Sequence, residues 1–348
     1  MTDLKSMTLP ELKQFLTEMG EKPFRAAQIY DWIHNKLVSS FDEMTTLSKS
    51  LREKLAKTCT LSAARPVRVL TSEKDGTRKY LFMLEDGNVI ESVLMPYHHG
   101  NSVCISSQVG CAMGCSFCAS TIGGKVRSLS AGEMLEQVYR IQALSGERVG
   151  SVVVMGTGEP LDNFDSLVRF IRILTSEQGL NLSGRAITVS TCGIVPGILK
   201  LAGEDLPITL ALSLHAPSQE KREKLMPIAR RYPLDEVLDA CRTYFEKTGR
   251  RLTFEYALVK GENDSPADAK MLGALIGPLH GHVNLIPVNP VRERGHQRPE
   301  RARVEAFKNN LEKQGINVTI RREMGTDING ACGQLRRGYL DGETEETV

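Results

Sequence analysis

The sequence predicts an α/β protein whose centre is a parallel sheet, with a small helical module ahead of it. From residue 102 onward, six short apolar runs alternate with helical stretches, the rhythm of right-handed βαβ units. Those runs are almost continuously apolar, as strands covered on both faces are. Before them, residues 65–95 alternate in polarity around two turn signals, the pattern of a short antiparallel sheet.

Taken in order, "LPELKQFLTEMG" opens on Pro10 and closes on Gly20, which frames a first helix. "FRAAQIYDWIHNKL" puts Phe24, Ile29, Trp32 and Ile33 near one face, and "LSKSLREKLAKTC" repeats leucine every four residues. "RKYLFML" and "NVIESVLM" are the antiparallel strands, with "KDGT" and "EDGN" as turns. The six later strands are "SVCIS", "SVVVMG", "AITVST", "ITLALSLH", "LTFEYAL" and "VNLIPVN". Between them fall helices such as "AGEMLEQVYRIQAL", "FDSLVRFIRIL", "LDEVLDACRTYFEK" and "ADAKMLGALIG". Periodicity alone leaves open whether the sheet closes. Polar or small residues collect where the strands end, at the cysteine loop, "GTGEP", "STCG", "SLHAP" and "NPV". That edge holds the active site in barrels and open parallel sheets alike.

With 348 residues, 41% hydrophobic and 25% charged, the chain has ample material for a core. No apolar run approaches a membrane span, and "MTDLKSMTLPELKQF" lacks the apolar stretch of a secretory leader. A cytosolic protein is therefore expected, in which clustered cysteines mean metal or catalysis rather than disulfides. A net charge of +2 neither announces nor excludes a nucleic-acid partner.

Four of the eight cysteines lie in "CISSQVGCAMGCSFC". Cys111, Cys115 and Cys118 are spaced C-x3-C-x2-C, and Cys104 stands seven residues upstream. Zinc sites usually offer four ligands, and no fourth cysteine or histidine follows within twenty residues. Cubane iron–sulfur clusters also take four thiolates as a rule. Three would leave one iron open to another ligand, while a zinc or redox site is the competing reading. The loop, placed after a first strand, resembles that of the radical S-adenosylmethionine (SAM) enzymes. In that resemblance, Gly158 and Glu159 of "MGTGEP" match the region that holds the methionyl amine of SAM. Ser190, Ser213, His215 and Asn289 stand at later strand exits and could bond its carboxylate, ribose and adenine. Each alone could equally be a helix cap or a loop hydrogen bond.

The resemblance narrows when "ESVLMP", the cysteine loop, "GTGEPLDN", "STCGIVPGI", "LSLHAP", "LMPI", "NPV" and "GTDINGACGQL" are read together. From about residue 8 to residue 340 the chain resembles the RlmN/Cfr family of RNA adenosine methyltransferases. The resemblance implies a partial (β/α)6 TIM-like radical SAM barrel over residues 97–325. Ahead of it would come an N-terminal helical accessory, RNA-binding domain (1–62) and a short β extension (63–96), and behind it a C-terminal tail (326–348). It also implies one [4Fe–4S] cluster held by Cys111, Cys115 and Cys118, and two SAM molecules consumed per turnover. Cys332 would carry the methyl group as S-methylcysteine, Cys104 would resolve the RNA adduct through a transient disulfide with Cys332, and Glu91 would accept the ring proton. Carbon 2 of adenine has no lone pair to attack an electrophilic methyl group, which is why a carbon radical is required. The expected substrates are an adenosine of 23S rRNA near the peptidyl-transferase centre and one in tRNA beside the anticodon. The expected electron donor is flavodoxin-like, and a monomer is expected. Carbon 2 is favoured because "GTGEPLDN" has Pro160 where Cfr-like sequences tend to have alanine; carbon 8 is the alternative.

Cys59, Cys192 and Cys241 match no required position and read as ordinary thiols, with Cys192 close enough to Ser190 to line the site. Arginine-rich stretches at 291–303, 221–231, 321–322 and 336–337 are candidates for phosphate contacts or plain solvated faces.

Overall fold

The computed structural model describes residues 1–279, 281–291, 293–328 and 339. A two-residue strand β1 (Thr2–Asp3) pairs in parallel with β2 (Cys59–Thr60), closing the ends of the helical module. Between them lie α1 (Leu9–Glu18), α2 (Arg25–His34) and α3 (Lys49–Thr58). Helix α1 starts where the Glu11 carboxylate accepts the Thr8 amide at 2.8 Å, satisfying one of the donors a helix start leaves free. Leu12, Leu16, Ile29, Ile33, Leu51 and Leu55 are the buried faces of the three helices. Each such side chain contributes about 1.5–3 kcal/mol by leaving water.

Three antiparallel strands follow, β3 (Ala64–Thr71), β4 (Arg78–Leu84) and β5 (Val89–Tyr97). Their turns use Gly76 and Gly87 at φ of 74° and 81°, where a side chain would be strained. The chain continues through β6 (Gly100–Cys104), β7 (Gln108–Gly110), β8 (Lys125–Ser128), α4 (Ala131–Ser145) and β9 (Val149–Val154). Then come α5 (Phe164–Leu174), β10 (Ile187–Thr191), α6 (Val195–Leu201), β11 (Thr209–Ser213), α7 (Gln219–Leu225) and α8 (Leu234–Thr248). The last elements are β12 (Leu252–Leu258), α9 (Pro266–Ile276), β13 (His282–Pro287), α10 (Arg301–Glu312) and β14 (Asn317–Ile320).

The antiparallel stretch and the parallel strands are one ten-stranded sheet, ordered β14-β13-β12-β11-β10-β9-β6-β5-β4-β3. From β6 to β14 every neighbour is parallel. Strands β3 and β14 are edges, so the α/β barrel is partial, as expected. Strand β14 is a seventh parallel strand that the sequence reading did not contain. Two of its four residues are exposed and only Val318 is buried, so they give no apolar run. The six expected strands are all present, with Val103, Val152, Val189, Leu212, Phe254 and Leu285 buried among the helices.

Candidate active site

Because the strands from β6 to β14 are parallel, their C-terminal ends share one edge, and a cavity of about 590 Å³ opens there. That size suits a nucleoside-bearing cofactor. The cysteine loop forms one wall. At its base, β7 pairs with β8, and Gly110 takes φ of 74° where a Cβ would lie 2.0 Å from the Gly124 carbonyl oxygen. Only glycine fits there. The Cys111 amide donates to Gly124 at 3.0 Å, and the Ser116 amide donates to Leu225 at 2.8 Å. Thr121 Oγ1 donates to the carbonyls of Cys115 and Cys118 at 3.2 and 3.0 Å.

Cys111 and Cys115 are buried, Cys118 is half-buried, and all three line the cavity. Burial pushes the Cys111 thiol up to about 12, with the neighbouring Cys118 adding to the shift, and moves Cys115 the same way. Ionising them needs a cation, and metal binding would release their protons. Among the described residues, no three Cys, His, Asp or Glu side chains are gathered tightly enough for a single ion. Three thiols around a polynuclear cluster stand farther apart than that.

Arg222 tests whether a net anionic cluster fits. It is fully buried. Its Nη2 donates to the Cys192 carbonyl at 2.6 Å and its Nε to Leu214 at 3.2 Å, while Nη1 has no partner. Burial lowers its pKa, and the groups set against that are the thiols Cys192, then Cys115, then Cys241. A buried guanidinium left in this way is costly. A cluster on three thiolates beside it supplies the missing negative charge, so the residues present fit the group.

The other expected residues share the cavity. Gly158 takes φ of 112°, with a Cβ position 2.6 Å from Gln108 Cβ. Glu159 turns its carboxylate away from solvent: Oε2 accepts the Cys192 amide at 2.8 Å and Oε1 the Leu161 amide at 3.0 Å. It ties the β9 and β10 exits together and leaves backbone groups at the cavity wall. Ser190 and Ser213 hydroxyls lie 3.1 Å apart. His215, at φ of 54°, accepts the Ala257 amide on Nδ1 at 2.8 Å. Burial holds its pKa down at about 3, so the ring is neutral with its proton on Nε2. Asn289 lines the exposed rim.

Cys104 and Glu91 lie on neighbouring strands and line the same cavity. Cys104 faces Val93 in register, which places Glu91 on its diagonal, about 7–8 Å away between Cα atoms. Glu91 is buried and its carboxylate is 3.4 Å from the ammonium of the fully buried Lys79. Burial raises the Cys104 thiol pKa, against which Arg321 and then Lys79 act. Cys332 lies outside the described residues.

Sequence reasoning missed Glu255, which is buried, lines the cavity and accepts Asn284 Nδ2 at 2.9 Å. Its signal was a lone acid inside the apolar run "LTFEYAL". The arginine-rich stretches need correction. Arg222 belongs to the core and cannot meet a phosphate. Arg294 donates to Thr121 Oγ1 at 2.7 Å, Arg298 pairs with Glu323, and His296 Nε2 is 3.0 Å from Ser116 Oγ. Those three fasten the 293–298 loop over the cysteine loop and the cavity mouth. Arg321 and Arg322 are exposed and line the mouth, while positions 336–337 lie outside the described residues. Cys59 and Cys241 are buried away from the cavity, and Cys192 lines it.

Comparison with known proteins agrees with this geometry. The profile of the ribosomal RNA large subunit methyltransferase N-terminal domain matches residues 2–61, and that of the radical SAM superfamily matches residues 105–271. A protein of Lachnospira eligens, described as a probable dual-specificity RNA methyltransferase RlmN, is 60% identical over 98% of this chain and 97% of its own. The chain belongs to the RlmN family. A relative of the same description from Clostridium perfringens is 51% identical, covering 98% of both chains. The crystal structure of a radical SAM methyltransferase from Sphaerobacter thermophilus superposes with a TM-score of 0.92 at 45% identity, covering 96% of this chain and 99% of that one. As a radical SAM methyltransferase of the RlmN family, the protein uses a [4Fe–4S] cluster and SAM. No helix among the described residues is long and apolar enough to cross a membrane.

Proposed function

We propose that the protein methylates carbon 2 of adenosine in 23S rRNA and in tRNA, with the methyl group passing through Cys332. The observation that carries this reading is that one cavity is lined both by the three cysteines of one loop and by a fourth, Cys104, on the strand next to the one that bears the buried Glu91. A zinc-stabilised binding module would have no use for Cys104 and Glu91 there. The RlmN relatives are described as dual-specificity RNA methyltransferases, which supports two RNA classes as substrates.

In this reading, Cys111, Cys115 and Cys118 hold the cluster, and the wall from Gly158 through Ser190, Ser213 and His215 to Asn289 holds SAM. Bound together, the cluster and SAM supply the one-electron chemistry that makes a methyl-derived carbon reactive toward adenine. The chain's own groups do the rest. The Cys332 sulfur carries the one-carbon unit to the ring and stays bonded to it. Glu91 accepts the ring proton, and the ion pair with Lys79 holds that carboxylate in place. Cys104, as its thiolate, attacks the Cys332 sulfur; a sulfur–sulfur bond forms as the carbon–sulfur bond breaks, and the released carbon keeps that electron pair and takes up a proton to become the methyl group. Arg321 and Arg322 at the mouth neutralise phosphates beside an extruded adenosine. Residues 1–62 act as an accessory RNA-binding domain, residues 63–96 as a β extension of the 97–325 core, and residues 326–348 as the segment bearing Cys332. A flavodoxin-like protein supplies electrons to a monomer.

Nucleoside mass spectrometry of 23S rRNA and tRNA from a deletion strain tests the product. Loss of 2-methyladenosine from both pools is expected. Loss of 8-methyladenosine with 2-methyladenosine intact would reassign the carbon.

A further inference from the structure

The turn between β3 and β4 grips a segment some 250 residues away. Ser72 Oγ donates to Asp327 Oδ1 at 2.6 Å, and the Glu73 amide donates to Oδ2 at 3.0 Å. The Gly325 amide donates to Asp75 Oδ2 at 2.9 Å, and Lys74 Nζ donates to Thr326 Oγ1 at 3.3 Å. Each side of this clasp is shaped for it. The Asp75 carboxylate also accepts the Thr77 amide at 3.0 Å, and Ser72 accepts the Lys74 amide at 3.2 Å. Gly325 takes φ of 61°, and its carbonyl accepts the Ile328 amide at 3.2 Å. Hydrogen bonds hold the Asp75 acid down at about 2 and lower that of Asp327, so both accept as carboxylates at neutral pH.

The clasp is not required to finish the sheet. Strand β14 ends at Ile320, where the Arg321 amide already donates to the Leu285 carbonyl at 2.8 Å. Residues 322–324 then line the mouth of the cavity that contains Cys104 and Glu91, and Gly325 and Thr326 line it too. The chain is caught there, five residues before Cys332. Five residues span at most about 17 Å.

We propose that the β3–β4 turn is the anchor that keeps the Cys332 segment in reach of Cys104, with Ser72, Asp75 and Asp327 as positioning residues. The proposal rests on the reading of Cys104 and Cys332 as a reacting pair. It assigns a task to the β3–β4 turn, which the chemistry otherwise leaves without one. Its size follows from tether length. With the clasp closed, the described hold nearest Cys332 is at Asp327, five residues before it; with it open, the nearest is Glu323, which pairs with Arg298 and stands nine residues before Cys332. Effective concentration falls roughly as the −3/2 power of tether length, so opening the clasp lowers it roughly twofold.

The test uses full-length, cluster-loaded protein held anaerobically in glutathione buffers of graded ratio, with the Cys104–Cys332 disulfide quantified by peptide mass analysis. Wild type, the double variant Asp75→Ala/Asp327→Ala, Asp327→Ala and Asp327→Asn are compared, with Cys104→Ala as blank. The midpoint of the double variant, which removes the contacts of both carboxylates, is expected to move roughly twofold toward oxidised glutathione and that of Asp327→Ala by less, at unchanged iron content and thermal midpoint. Asp327→Asn keeps one acceptor oxygen and falls between Asp327→Ala and wild type. Wild-type midpoints in both alanine variants would overturn the anchor while leaving the thiol pair standing. Absence of the disulfide from wild type at every ratio would overturn the pair, and the anchor with it.

Discussion

Arg222 Nη2 donates to the carbonyl of Cys192 at 2.6 Å, with both residues sealed from solvent beneath the cysteine loop. The same guanidinium bonds Leu214, so one cation ties the β10 and β11 exits to the floor of the cluster site. Replacing Arg222 by Met strands those carbonyls and should cost about 2–4 kcal/mol. The loss should be larger in iron-loaded protein than in apoprotein, because the charge that offsets the cluster has gone. Urea unfolding of both forms checks this; equal losses would mean that Arg222 serves packing alone.

A side chain at position 158 must collide with Gln108 and Ser107 while holding φ at 112°. Gly158→Ala is therefore expected to weaken SAM binding at least tenfold, about 1.4 kcal/mol, with iron content preserved. Equilibrium dialysis with SAM measures it.

Conversion of Cys111, Cys115 or Cys118 to Ala should abolish stoichiometric iron and the broad visible absorption after anaerobic reconstitution. Cys192→Ala should retain both, because Cys192 contributes backbone groups to the site and no ligand is assigned to its thiol. Iron assay and absorption spectra separate the two classes.

His34 joins the helical module to α4. Its Nδ1 is 2.8 Å from the Tyr139 hydroxyl, and its Nε2 has no partner. The charged or titratable groups around it are Tyr30 on its own helix, Tyr139 and Glu136 on α4, and Lys5. Burial, then Lys5, holds its pKa down at about 3 from 6.5. The unfolded chain therefore binds the extra proton as pH falls below 6.5. Stability is full above that value and declines toward pH 3, by up to about 1.4 kcal/mol per pH unit. His215 is held equally low and adds its own share. Urea midpoints from pH 7.5 to 5.5 should fall, and His34→Gln should reduce the slope without abolishing it, because His215 and His282 are held low as well.

The sheet and the cavity edge were legible because buried parallel strands are written as apolar runs that stop where function begins. "SVVVMG" ends at Gly156, which lines the cavity, and "AITVST" reaches it at Ser190, one residue before its end. Strand β14 was not legible, since a short, half-exposed edge strand needs few apolar residues. Arg222 was hidden for a different reason. In "EKREKL" it looks like one charge among others on a solvated helix face, and only the tertiary placement of α7 over the strand exits buries it. Glu91 and Lys79 illustrate the same limit. Each occupies an inward position of an alternating strand, but their pairing depends on the β4–β5 register.

The proposed chemistry depends on Cys332 as methyl carrier, and one measurement addresses that directly. Protein purified from cells should yield, on tryptic mass analysis, a peptide containing Cys332 with one added methyl group on its sulfur, and Cys104→Ala should carry RNA covalently at the same residue. Unmodified Cys332 in active enzyme, with methyl transfer surviving in Cys332→Ala, would contradict it.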